Sequence, residues 1–216
     1  MNISAAGVPA HERVYRQLRD EVLFGDLVPG DAVTIQGLVA RLGAGMTPVR
    51  EALRRLTAEG ALEFQGNRRI CVPVLDAAAL NEVTYARLAL EPELAARACA
   101  RIEIARIAAL SQVDAALDAA LAAGDLRGYL MRNHRFHAML FEQAQAPVLT
   151  ELAVGLWLRF GPSLRAVLTS AGPPDLPDRH KDLLSALAAR DAQAAAQAIR
   201  QDIAQGMEAI AAALPD

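Results

Sequence analysis

Cysteine is scarce in this chain of 216 residues, and its pattern argues against redox chemistry. Only Cys71 and Cys99 occur, with no CxxC spacing. Two reduced, buried thiols are therefore expected rather than a disulfide or a redox switch. No apolar run is long enough to span a bilayer, and the first residues lack a signal-peptide pattern. The expectation is a soluble, cytoplasmic protein without a membrane partner. Internal repeats, a glycine-rich phosphate loop and paired Ser/His/Asp or Cys/His sets are missing too. That leaves no nucleophile for covalent catalysis.

Net charge is also small, at −3, but it is unevenly spread. Residues 1–75 carry nine arginines and eight acids, or +1, and residues 76–216 carry thirteen basic and seventeen acidic side chains, or −4. The acidic balance thus does not argue against nucleic-acid binding by the first part. Non-specific binding should be weak, so that two copies of the binding unit are needed.

What is present is concentrated between Thr34 and Val72. Ile35, Leu38, Val39 and Leu42 fall at i, i+3, i+4 and i+7, one apolar helix face. Thr34 stands at its N-cap, and Gly43-Ala44-Gly45 breaks the helix into a turn. Thr47 then caps a second helix with Pro48 at its first position. Val49, Ala52, Leu53 and Leu56 face inward, while Thr47, Arg50, Arg54 and Arg55 lie largely on the other side. Two short strands, Ala61–Gln65 and Arg69–Pro73, flank a tight turn at Gly66-Asn67 with Arg68 and Arg69 beside it. A helix over Glu12–Phe24 supports the pair, preceded by a loose arm over residues 1–10.

Helix, turn, arginine-rich helix and basic hairpin make a winged helix-turn-helix, a device for reading double-stranded DNA. Arg50, near the start of the second helix, can present its fork to a guanine edge. Thr47 and one or more of the other arginines, Arg54 among them, suit phosphates, which position without specifying. The wing arginines can reach the sugar-phosphate backbone or a minor groove.

From Asp76 onward the pattern is helical throughout and rich in alanine, the best helix former. Breaks divide it into six helices over 77–100, 103–123, 126–145, 147–169, 176–190 and 192–213, with Pro92 a possible kink in the first. The fold class is mainly α: a winged helix-turn-helix over 11–75, then an all-α antiparallel bundle over 76–216. Few polar residues stand out in the bundle. His137 follows Asn133 by four residues, so both project from one helix face. His180 opens the fifth helix, and Asp202 lies in the middle of the sixth. The residues alone leave open a shared metal site, solvent-facing polar groups, or hydrogen-bonded core histidines.

The stretch PGDAVTIQGLVARLGAGMTPVREALRRLTAEGAL resembles the DNA-binding domain of the GntR family of bacterial transcription regulators. YARLALEPELAARA, NHRFHAMLF and RHKDLLSALAARDAQAAAQAI are similar to the effector (FCD) domain of the FadR-type branch, in its shorter, six-helix VanR-like form. The resemblance implies DNA contacts from Thr47, Arg50, Gly66, Asn67 and Arg68. Gly45 and Met46 stand where the family usually has Ser/Thr followed by Arg, so a different operator preference is expected. It also implies a divalent metal, often zinc, held by the positions of Asn133, His137, His180 and Asp202. Two of these differ from the usual Asp and His, yet both still offer oxygen, and Zn, Mn, Fe or Ni fits such a set. Arg87 matches an arginine that faces the effector in the family. Its alternative role is an intrahelical pair with Glu91, worth ~0.3–0.5 kcal/mol on a surface.

Two functions follow as expectations. The first is a homodimeric regulator, a repressor on a palindromic operator, released by a small organic acid. The second is a metal-dependent helical hydrolase with an appended DNA-binding module, in which a metal-bound water would attack.

Overall fold

The computed structural model describes residues 9–24, 27–65, 69–171 and 178–214. Helix α1 (Ala10–Leu23) comes first, followed by β1 (Ala32–Val33), α2 (Ile35–Leu42) and α3 (Met46–Ala58). Strands β2 (Glu63–Gln65) and β3 (Arg69–Cys71) complete a small antiparallel sheet in the order β1-β3-β2. The register pairs Phe64 with Ile70, and Val33 with the same Ile70 from the other side. The wing strands are shorter than the alternation suggests. β1 has no sequence signal, since two residues cannot show a period. Gly66, Asn67 and Arg68, assigned to the wing tip, lie outside the described residues. So do residues 1–8 of the expected arm, while Ala10 already belongs to α1.

The helix-turn-helix is held as its spacing requires. The Thr34 side chain accepts from Gly37 N–H at 3.0 Å and caps α2. Gly43 ends it in the left-handed region, φ 58°, which favours glycine. One expectation is corrected. Thr47 does not cap α3; the helix starts at Met46, with Gly45 in extended conformation as N-cap. Pro48 is then the third helical residue, still within the turn whose N–H groups lack intrahelical partners, so no bond is lost. The shift leaves the Thr47 side chain exposed on the outer face. Val49, Ala52, Leu53 and Leu56 are buried as the 3.6-residue period predicts, against Leu18 and Val22 of α1.

Among the described residues the second part has six helices: α4 (Ala77–Arg101), α5 (Ile104–Ala122), α6 (Leu126–Glu142), α7 (Pro147–Ala171), α8 (Arg179–Ala189) and α9 (Ala192–Ala212). Aspartates cap four of them. Asp76, Asp125, Asp178 and Asp191 each accept backbone N–H bonds of the first turn. Such a cap is worth ~1 kcal/mol against alanine. Part of the acidic excess of this half is thus structural. Pro92 and Pro162 lie inside α4 and α7, and both helices continue past them. Phe136, Phe141, Phe160, Leu94, Leu140 and Leu183 fill the core.

Helix α7 joins the two parts. A side chain at Gly161 would place its Cβ 3.1 Å from the Leu23 carbonyl oxygen, so glycine permits the close approach of α7 to α1. Arg165 Nη1 donates to the Phe24 carbonyl at 3.3 Å. The Arg159 guanidinium lies over Gly60, at the end of α3. Edge-to-face rings continue the contact: Phe24 to His134 at 5.7 Å, then His134 to Trp157 at 5.1 Å. Burial, followed by the charges of Arg19, His137 and Arg135, pushes the His134 imidazole down to about 4.

Candidate functional site

The first candidate surface is the outer face of α3. Thr47, Arg50 and Arg54 are all exposed there. They differ in what holds them. Arg54 is tied to Glu51 one turn back, Nε to Oε2 at 3.2 Å. No ion pair to Arg50 is found among the described residues, so its guanidinium is available. Arg55, grouped with them by helical spacing, is turned to structural work. Its Nε donates to Glu59 at 3.0 Å and its Nη1 to Glu12 at 3.1 Å, and its plane lies 3.5 Å over the Tyr15 ring. Burial and the Glu59 carboxylate together push the Tyr15 hydroxyl up to about 12, so it stays a donor, to Glu59 Oε2 at 2.8 Å.

The second is a cavity of about 200 Å³ inside the helical bundle. Asn133 of α6, His180 of α8 and Asp202 of α9 line it, and His137 of α6 lies next to the last two without lining it. One ligand atom each of His137, His180 and Asp202 lies within 4.8 Å of the others. His137 Nε2 stands 3.3 Å from Asp202 Oδ2 without hydrogen-bond alignment, and His180 Nε2 stands 3.8 Å from Oδ1. Both imidazoles are buried. The two ring nitrogens of His137 and Nε2 of His180 have no hydrogen-bond partner. An orphaned buried polar atom costs ~1–3 kcal/mol, and a divalent cation would relieve one nitrogen on each ring. Asn133 lines the same cavity, half-buried. Two imidazoles, a carboxylate and an amide oxygen are a donor set that zinc and its neighbours accept. Burial alone would raise the Asp202 carboxyl. His137, His180 and Arg87 outweigh it and hold Asp202 well below the usual carboxylate range.

Arg87 also lines the cavity, but it is not a loose cation. Its Nε and Nη2 donate to the two oxygens of Glu91 at 2.6 and 3.1 Å, and both side chains are buried. The Phe160 ring lies 4.1 Å from its guanidinium carbon. The pair is therefore a buried ion pair, not a surface one. Aromatic and aliphatic side chains, Trp157, Phe160, Leu164 and Val167 among them, form the apolar wall.

Several functional neighbours escape the sequence reading. Asp114 of α5 is 1% exposed, with Oδ1 3.0 Å from His180 Nδ1. Lys181 bonds both Asp114 and Asp118. A signal for Asp114 exists in the chain: Leu110, Asp114 and Leu117 share i, i+4, i+7 spacing, which puts an acid on a buried stripe. Burial works against the Asp114 charge, but the His180 and Lys181 bonds dominate and lower its pKa. Burial would lower His180, and the Asp114 bond with the charges of Asp202, Asp114 and Asp178 raises it instead.

A DNA-reading head on a helical ligand-binding bundle defines a transcription regulator. The chain belongs to the gntR family of bacterial regulatory proteins and carries an FCD domain; the two family descriptions match residues 10–72 and 82–205. It is 29% identical over 199 residues to the HTH-type transcriptional regulator McbR of Escherichia coli K12, covering 89% of this chain and 90% of that one. It is 24% identical over 203 residues to the HTH-type transcriptional repressor RspR of the same organism, covering 94% and 89%. The solved structure of E. coli McbR/YncC superposes with a TM-score of 0.88 at 27% identity, covering 95% of this chain and 98% of that one. A putative GntR regulator from Rhodococcus sp. RHA1 shares the fold with a TM-score of 0.78 at 24% identity, over 95% and 99%. These relatives are regulators and not enzymes, so the hydrolase reading is set aside.

Proposed function

We propose that the protein is a cytoplasmic, homodimeric repressor that binds a palindromic operator and is released by a small organic acid. In this reading residues 11–75 read DNA and residues 76–216 bind effector and dimerise. The observation that carries it is the continuity of α7, which lines the cavity with Trp157 and Phe160 and touches the reader at Leu23 and Phe24. Occupancy of the cavity then has a packed route to the DNA-binding head. It can bias that head only by its differential affinity for two states. The repressor sign leans on RspR, which is named as one.

Charge supports a metal beneath an acid effector. Arg87 is neutralised by Glu91, and Arg179 by Asp182 at 2.8 Å. Around them Asp114, Asp118 and Asp178 share a single ammonium, that of Lys181, and Asp202 faces the two histidines. An anion entering such a site is repelled unless a cation is added. His137, His180 and Asp202, with Asn133 as a weaker neutral ligand, would hold a divalent metal, zinc or else Mn, Fe or Ni. When bound, it offers a Lewis-acidic position to a carboxylate oxygen. Arg87 lies at the cavity wall to orient the effector from within its ion pair.

Gel-shift titration on an operator selected from random DNA tests the reader. Arg50→Ala should lose ~1–3 kcal/mol of specific binding and relax preference at one base position. Arg68→Ala should weaken all sequences alike and reduce the salt slope by about one phosphate. Wild-type binding by Arg50→Ala would show the assigned orientation of α3 to be wrong. Light scattering tests assembly, with a mass of about 46 kDa expected, twice 23.0 kDa. Two heads on one two-fold axis convert two weak half-site contacts into one strong one. A monomer at micromolar concentration, with and without DNA, removes the palindrome argument.

A further inference from the structure

Behind the three candidate ligands lies a second cluster: Asp114, Asp178 and His180, whose ligand atoms also fall within 4.8 Å of one another. It already has its cation. Lys181, the chain's only lysine, bonds Asp114 Oδ2, Asp118 at 2.8 Å and Asp178 at 3.3 Å. Asp178 is fixed in turn as the N-cap of α8, its Oδ1 accepting from the backbone N–H of His180 and of Lys181. Asp114 thus uses one oxygen for the ammonium and the other, at 3.0 Å, for His180 Nδ1.

We infer that Asp114 and Lys181 act together as positioning residues that fix the tautomer of His180. A carboxylate can only accept, so Nδ1 must carry the hydrogen. In the neutral ring Nε2, the buried nitrogen without a hydrogen-bond partner, is then left as a bare lone pair beside His137 and Asp202. The Phe136 ring, stacked 4.1 Å from the His180 ring at 20°, blocks rotation out of that plane. A carboxylate behind a ligating histidine is worth roughly 10–100-fold in metal affinity. The part of the inference that concerns metal rests on the metal site proposed above. The tautomer itself does not.

Lys181 makes the arrangement testable, because an ammonium offers donors alone. In Asp114→Asn, the amide must turn its oxygen to Lys181, because its NH2 would meet the ammonium donor to donor. The amide NH2 is then turned toward Nδ1 and requires a lone pair there. The hydrogen moves to Nε2, and the nitrogen that should face the metal is capped. Removing the ammonium as well, in Asp114→Asn/Lys181→Met, frees the amide to turn its oxygen to Nδ1–H and restores the first tautomer.

The experiment is 15N NMR of the metal-free full chain, which has four histidines, at a pH where the imidazoles are neutral, with zinc affinity by chelator competition. Wild type should show His180 as the Nδ1–H form. Asp114→Asn should show the Nε2–H form and bind zinc roughly 10–100-fold more weakly. The double variant should return to Nδ1–H, with affinity within a few-fold of Lys181→Met. A merely structural role predicts the double variant to be no better than Asp114→Asn. An Nε2–H form in wild type overturns the inference without any variant. Unchanged zinc affinity and tautomer in Asp114→Asn overturn it as well. If the tautomers follow this pattern but no form binds zinc, the orientation by Asp114 stands and the metal site falls.

Discussion

Glu91→Ala is expected to lower the stability of the protein by ~3–5 kcal/mol, the range for breaking a buried ion pair from one side. Arg87 and Glu91 sit one turn apart on α4, with side-chain exposures of 4% and 0%. Removing the carboxylate leaves a guanidinium among Phe160, Trp157 and Met207 without an ion-pair partner, the Asp202 charge acting on it only at longer range. For a chain of this size the melting temperature should fall by about 6–20 °C, at ~2–4 °C per kcal/mol. Arg87→Met with Glu91→Leu should recover most of that loss, because apolar replacement of a whole buried pair is often neutral or stabilising. Thermal unfolding of the two variants reads both numbers. A Glu91→Ala midpoint within ~2 °C of wild type would mean that the pair is solvated after all. The double variant also separates stability from sensing: it should fold and bind operator, yet lose the polar anchor at the cavity wall.

That pair shows where sequence reasoning stops. Arg87 and Glu91 at i, i+4 are indistinguishable in sequence from a solvent pair. What decides their worth is that α9 and α7 cover that face of α4, which is tertiary information. The same holds for Arg55. Its spacing puts it beside Arg50 and Arg54, and only the approach of α1, bringing Tyr15 and Glu12, draws it away from the outer face. The reader's core was legible because Val49, Ala52, Leu53 and Leu56 repeat with the helix. The start of α3 was not, since Gly45 and Thr47 are both acceptable caps and the choice turns on two backbone angles. His137, His180 and Asp202 could be singled out as rare polar groups in apolar helices and joined by family likeness. Asp114 lies 66 residues from His180 and could not be paired with it from spacing, although its place on a buried stripe was visible.

Zinc should raise the melting temperature of wild type and leave that of His180→Ala unchanged. The orphaned nitrogens of His137 and His180 point to one locus with Asp202, and a metal that binds there binds the folded chain alone. At free zinc one hundred times the dissociation constant, the stabilisation is ~2.7 kcal/mol. That corresponds to about 5–11 °C, at ~2–4 °C per kcal/mol. His180→Ala removes one of two imidazoles and should abolish the shift, together with any effector response. Operator binding should persist, because no side chain of α3 touches the cavity among the described residues. Asn133→Asp gives a complementary test: replacing a neutral oxygen ligand with a charged one should tighten zinc binding, by adding charge to a set that has one carboxylate. Metal analysis of protein purified without chelator and without a histidine tag supplies the stoichiometry. A value well below one per chain, unchanged after incubation with Zn, Mn or Ni and accompanied by no thermal shift, would remove the metal. The cavity would then be a polar pocket in which His137, His180 and Arg87 meet the effector directly. Asn133→Asp would then have no metal affinity to improve and would only add another carboxylate to a cavity already lined by Asp118, Asp178 and Asp202.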